Sequence, residues 1–79
     1  MPRYFFDVDD GTTAADDIGE ELPDLDAAHL EAVRLSGEII KDHAPQFWGG
    51  RAWRFSVRDE ADQVLFTLSF SATSPQRIA

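Results

Sequence analysis

Between Asp7 and Asp26 the chain reads DVDDGTTAADDIGEELPDLD, and nine of these twenty residues are acidic. Carboxylates at that density can hold a divalent cation, present a surface to a basic partner, or serve as turn and helix-entrance residues. A helix–loop–helix calcium loop needs acids at alternate positions, glycine at the sixth and glutamate at the twelfth. Starting from Asp7, the fifth position is Gly11 and the twelfth is Ile18. Putting Gly11 or Gly19 sixth makes Phe6 or Ala14 the first ligand. No frame satisfies the pattern, so an irregular Ca²⁺ or Mg²⁺ site is the only metal chemistry left to the stretch.

The other reactive side chains are sparse. His29, Ser36 and His43 are spaced seven apart on one helical segment. At the rise of an α-helix, His29 and His43 stand about 21 Å apart, too far to share a metal. A Ser36–His pair at about 10 Å is equally unsuited to nucleophilic catalysis. The expected roles of both histidines are helix-edge packing and local hydrogen bonds. FWGG at Phe47–Gly50 lacks the GK[ST] of a phosphate loop and follows no strand. Trp48 is placed to cover the end of the core. Spacing brings no Ser/His or carboxylate pair together, and there is no cysteine. The reading is therefore not an enzyme, with no cofactor.

The 79 residues are enough for one domain with a modest core. A hydrophobic content of 43 % with 11 % aromatics fits a folded chain rather than a disordered one. The net charge of −8 is uneven. Residues 1–50 carry twelve acids against Arg3, Arg34 and Lys41, a net of −9, and residues 51–79 carry four arginines against three acids, a net of +1. Such a balance disfavours nucleic acid, because phosphates are repelled by most of the surface. No run approaches the length of a membrane span, and the start lacks a secretory h-region. With no disulfide to form, the expected location is the cytoplasm.

These residues need elements to position them. RYFFDV at Arg3–Val8 reads as a strand, Asp10-Gly11 as a hairpin turn, and Thr12–Ala15 as a weak return strand. Asp16–Pro23 reads as a loop. A helix then follows, with Asp26 as its cap and Leu25 and Leu30 as a hydrophobic staple, and it is stopped by Pro45. Its charged side holds Glu31, Arg34, Glu38, Lys41 and Asp42; its apolar arc runs through Ala28, Leu30, Ala32, Val33, Leu35, Gly37, Ile39 and Ile40. Gly37 suggests a close backbone approach. Gln46–Ala52 is a loop. Trp53–Arg58 and Val64–Phe70 alternate strictly and form a hairpin around Asp59–Gln63. The fold class is α+β: a ββαββ (or βαββ) antiparallel sheet with one amphipathic helix packed on one face. Residues 1–72 make one domain and 73–79 a disordered tail.

The face of the sheet away from the helix would then carry Arg3, Phe5, Arg54, Arg58, Leu65 and Thr67. Arginine beside an aromatic suits nucleic-acid platforms, but a half-apolar, half-arginine face suits a protein contact better. Of the nine acids, turn and helix entrance absorb all but Asp16, Asp17, Glu20 and Glu21. The candidate partner surface is therefore Phe5, Arg54, Arg58 and Leu65 with Asp16, Asp17, Glu20 and Glu21.

The motifs also resemble a known pattern. PRYFF at Pro2–Phe6, DDG at Asp9–Gly11, ELPDLDAA at Glu21–Ala28, EAVRLSGEI at Glu31–Ile39, FW at Phe47–Trp48, W-x-x-x-V-x-D-E at Trp53–Glu60 and VLFTLSFSA at Val64–Ala72 occur in that order. Together they are similar to a family of small bacterial proteins defined only as a domain of unknown function. That resemblance implies no activity, ligand or catalytic residue. The first half alone, a strand, an acidic loop with LPDL and a helix, is similar to HicB-type antitoxin domains, although the Trp53–Phe70 hairpin departs from that pattern. The function expected from all of this is a small non-catalytic interaction or regulatory module that pairs with itself or with another protein. The alternatives are a small-molecule or cation-binding protein using the acidic hairpin and loop, and an antitoxin-like or nucleic-acid-associated regulator.

Overall fold

Side-chain alternation decides the sheet. Tyr4, Phe6 and Val8 face the helix, and so do Trp53, Phe55 and Val57, because every second residue of a strand falls on one side. The computed structural model describes residues 1–9, 13–48 and 52–73. They form β1 (Arg3–Asp9), β2 (Thr13–Ala14), β3 (Glu20–Glu21), α1 (Leu25–Asp42), α2 (Ala44–Trp48), β4 (Trp53–Arg58) and β5 (Val64–Phe70). The sheet runs β2-β1-β4-β5, and β3 also pairs with β1. All pairings are antiparallel. Phe6 lies opposite Val57 and Val57 opposite Phe66, so one apolar row crosses three strands under the helix. The α+β class with one main helix on an antiparallel sheet is thus as expected, with two additions. Glu20–Glu21 is a short strand, not loop, and residues 44–48 form a helical turn. Pro45 fits there because the first turn of a helix has no partner for its missing N–H.

The helix entrance differs from expectation by two residues. Asp24, not Asp26, caps α1: its backbone is extended and its Oδ1 accepts from the Ala27 N–H at 2.9 Å. Asp26 lies within the first turn, where it still favours the positive end of the helix dipole. With the cap at Asp24, Leu25 and Leu30 no longer occupy staple positions, and Leu30 is 75 % exposed. His43 closes the other end, its backbone N–H reaching the carbonyls of Ile39 and Ile40.

The buried line of α1 is narrower than the apolar arc. Ala28, Ala32 and Ser36, spaced four apart, are fully covered, and the core joins Ala28 and Ala32 to Tyr4 and Val57. The Ser36 hydroxyl donates to the Val33 carbonyl at 3.1 Å, so its burial leaves no polar atom unpaired. Small side chains let the helix lie close to the sheet. The bulkier Leu30 and Val33 are turned outward, Val33 being 59 % exposed. Gly37 has open space where a Cβ would stand, so no close approach explains it. Phe47 rather than Trp48 covers the end of the core: its ring meets Trp53 at 5.6 Å, while Trp48 is 64 % exposed.

Asp59 makes the β4–β5 turn. Its Oδ1 accepts from the N–H groups of Ala61 and Gln63, and its N–H donates to the Gln63 carbonyl. Asp62 takes the left-handed conformation at φ 64°, which aspartate tolerates better than most residues. The expected Asp10-Gly11 turn and most of the 73–79 tail lie outside the described residues. On the helix, Asp24→Ala lowers stability by about 1 kcal/mol, whereas Asp26→Ala stays within about 0.5 kcal/mol. Urea unfolding of the two variants distinguishes them, and equal losses would contradict the cap at Asp24.

Candidate functional site

Three features stand out above the fold: a stitched edge on β1, a cleft beneath it, and an edge of β5 that pairs with no strand among the described residues. The first begins with a register change. Val8 pairs with Ala14, but Tyr4 pairs with Glu20. Two residues more than a continuous ladder requires lie between β2 and β3, and the chain leaves the pleat over 15–19. The Phe6 N–H would then lack an acceptor, but the Asp16 carboxylate supplies one at 3.1 Å. The other oxygen of Asp16 accepts from Ile18 and Gly19, at 2.9 and 3.1 Å, and closes a tight local turn. Gly19 sits at φ 75°, where a Cβ would come within 2.9 Å of the Phe5 ring and of Arg3 Cγ. Both the conformation and the contact require glycine.

Arg58 joins this turn to the rest of the sheet. Its Nε donates to Asp7 Oδ2 at 2.8 Å, its Nη1 to Asp62 Oδ1 at 2.7 Å, and its Nη2 to the Asp16 carbonyl. The guanidinium also lies 4.7 Å from the centre of the Phe5 ring. Asp7 uses its second oxygen to accept the Asp16 N–H at 2.8 Å. The hydrogen bond and charge of Asp7 lead in raising Arg58 above its ordinary pKa. At Asp16, burial pushes the carboxyl up, but the N–H groups of Gly19, Ile18 and Phe6, with the Arg58 charge, outweigh it and leave it below its ordinary value.

Of the residues expected to form a partner surface, Phe5, Asp16 and Arg58 therefore engage one another. Arg54, across the sheet from Asp9, is exposed, as are Leu65, Asp17, Glu20 and Glu21. Glu21 pairs with Arg3 at 3.3 Å. The Asp16 arrangement has a local sequence signal, an aspartate three residues before a glycine, but its tie to Arg58 spans 42 residues and has none. Among the described residues no group of three or more His, Asp or Glu converges on a point that could hold a metal ion. His29 packs edge-on to Phe66 of β5 at 4.6 Å and so ties the helix to the sheet, and the His43 ring lies 3.0 Å from the Ile39 carbonyl at the helix end.

Inside the stitched edge lies a cleft of about 270 Å³. Phe6, Val8 and Phe55 line it from the sheet, and Ala32, Leu35 and Ile39 from the helix. Glu20 stands at its rim, on the helix side of β3 opposite Tyr4. Burial, then the hydrogen bond and charge of Glu31, raise the Glu20 carboxyl above its ordinary pKa. Glu31 is pinned in turn by Arg34 at 2.7 and 2.9 Å, and Arg34 also reaches Glu38 at 2.9 Å.

The opposite margin of the sheet is different. Among the described residues β5 is the terminal strand, and it reads VLFTLSF, with no charge and no proline. Its Val64 and Leu65 are exposed, and the exposed Leu30 and Val33 of α1 lie toward the same side, since the neighbouring His29 contacts Phe66. No helix of the described residues is long and apolar enough to cross a membrane.

The family model described as a domain of unknown function (DUF6894) matches residues 3–71. No curated protein matches the chain, and no solved structure does. The likeness of the first half to HicB-type antitoxin domains gains no support from these comparisons.

Asp16→Ala removes an acceptor from three N–H groups and lowers stability by about 2 kcal/mol, while Asp17→Ala stays within about 0.5 kcal/mol. Because the folded-state pKa of Asp16 is depressed, its contribution is present above the ordinary value of 3.8 and is lost as pH falls through the lower, folded value. Acid unfolding followed by circular dichroism should therefore show a shallower loss below pH 3.8 for the Asp16→Ala protein than for the parent.

Proposed function

Because the chain belongs to the DUF6894 family, a domain of unknown function, we propose from its surfaces that it is a non-catalytic interaction module that pairs with a second copy of itself through β5. The observation that carries this reading is the outer edge of β5, which pairs with no strand among the described residues: seven residues with none of the fifteen acids and neither lysine nor proline, interrupted only by the register shift that leaves Leu65 without a partner on β4. Its outward N–H and C=O groups form a template for another strand.

Charge argues for a second copy as the occupant. Two chains of net −8 repel over most of their surfaces, and β5 is a neutral margin along which they can meet. Antiparallel pairing of β5 with its own copy about a two-fold axis is self-complementary and closes after one contact. It continues the sheet across both molecules and brings the Leu30–Val33 flank of each helix toward the seam. A protein with a core this small gains stability from such a partner. The nucleic-acid alternative is weakened, since Arg58 is held by Asp7 and Asp62 and Arg3 pairs with Glu21. We place the module in the cytoplasm, in keeping with a cysteine-free chain.

Sedimentation equilibrium should give twice the chain mass of 8.8 kDa for the parent protein. Leu65→Glu with Thr67→Glu sets like charges across the seam and should weaken the dimer by tenfold or more, about 1.4 kcal/mol, with an unchanged far-ultraviolet spectrum. Leu30→Glu with Val33→Glu should act in the same direction. A parent protein that stays at 8.8 kDa at its highest soluble concentration overturns the reading.

A further inference from the structure

The cleft under β1 owes its existence to the interrupted edge. On the helix side of a continuous edge strand, a side chain between Ala14 and Glu20 would fill the space beside Phe6. Here the chain leaves the pleat, and the Asp16 side chain turns to accept the Phe6 N–H instead. From above, α1 lines this space with Ala32, Leu35 and Ile39. The result is an apolar volume of about 270 Å³. Apolar spaces of about 150 Å³ already accept a benzene-sized guest, and ligand pockets begin near about 300 Å³.

Polar groups at the cleft are few and differ in capacity. Both Asp16 oxygens are occupied by backbone N–H groups. Glu31 is held by a two-pronged contact with Arg34. Glu20 is the exposed carboxylate on the rim, and Glu31 is its near neighbour across the gap to α1. A glutamate on the helix side of an edge strand displaces a residue that would otherwise pack on Tyr4. The rim is thus acidic over an apolar interior, within the half of the chain that carries a net charge of −9.

We propose that this cleft binds a small organic ammonium ion with an apolar body, the body lying between Phe6, Leu35 and Ile39 and the ammonium resting on the Glu20 carboxylate. Shape selects the body and charge selects the head: an anion of the same shape meets Glu20 and Glu31, and a neutral molecule forgoes the charge-assisted hydrogen bond. The site lies at the opposite margin of the sheet from β5 and does not depend on pairing there.

The test is a two-dimensional NMR titration of the full chain with three probes of one shape: 2-phenylethylamine, 2-phenylethanol and 3-phenylpropionate. The amine should move the methyl signals of Val8, Ala32, Leu35 and Ile39, with the alcohol binding at least tenfold more weakly and the carboxylate more weakly still. Glu20→Gln should reduce amine affinity about tenfold, or 1.4 kcal/mol, and leave the alcohol unchanged. Absence of shifts at these methyls, equal binding of the three probes, or amine affinity unaltered in Glu20→Gln would each overturn the proposal. The comparison of probes on the parent protein holds without any variant.

Discussion

A strand in the middle of a folded chain cannot leave a backbone N–H unpaired, and here one carboxylate meets that demand at the weakest place in the sheet. Phe6 stands where β1 has no edge partner, and Asp16 supplies the missing acceptor. The same group shapes the turn that requires Gly19, and that turn lays the chain over Phe5. Arg58 then fastens the arrangement from β4, filling three directions of its guanidinium with Asp7, Asp62 and the Asp16 carbonyl. What looks from its charge like a surface for others is, at its centre, a substitute for a length of β-strand.

The helix follows a similar logic of fit over hydropathy. Alanine and serine occupy its closest approach, and leucine and valine are left in solvent. The exchange brings α1 near Tyr4 and Val57 but gives it little volume with which to fill the far corners of the sheet. One corner becomes the cleft below β1, and the other leaves Phe66 and Leu68 only partly covered beside β5. The two margins therefore differ in chemistry: acidic over a hollow on one side, and on the other a neutral strand that pairs no further among the described residues.

Much of this was legible from local pattern. The alternation in Trp53–Arg58 and Val64–Phe70 placed both strands and most of their faces, because a period of two depends only on neighbouring residues, but a register shift sets Val64 opposite Arg58 and leaves it 57 % exposed rather than in line with Phe66. The family resemblance rested on motifs spread along the chain, and residues 3–71 match a domain of unknown function as expected. Asp24 and Asp26 are alike in type and both precede an apolar run, so the choice of cap was settled by backbone geometry that composition does not encode. Ser36 ranked below Leu30 on any hydropathy scale, yet it lies at the centre of the buried line, four residues beyond Ala32. The node at Arg58 was the least visible. Alternation put its side chain on the outer face, but its partner Asp7 is 51 residues away.

That separation has a consequence for how the molecule comes into being. The β4–β5 hairpin needs only Trp53–Phe70 and the Asp59 turn. The stitched edge needs Asp7, Asp16 and Arg58 at once, so a chain made from its amino end holds its first two dozen residues unfinished until residue 58 has been added. The acidic opening segment, without its arginine, then carries like charges that resist collapse and association alike. Density of carboxylate between residues 7 and 26 thus becomes a fastening only once Arg58 is present to close it.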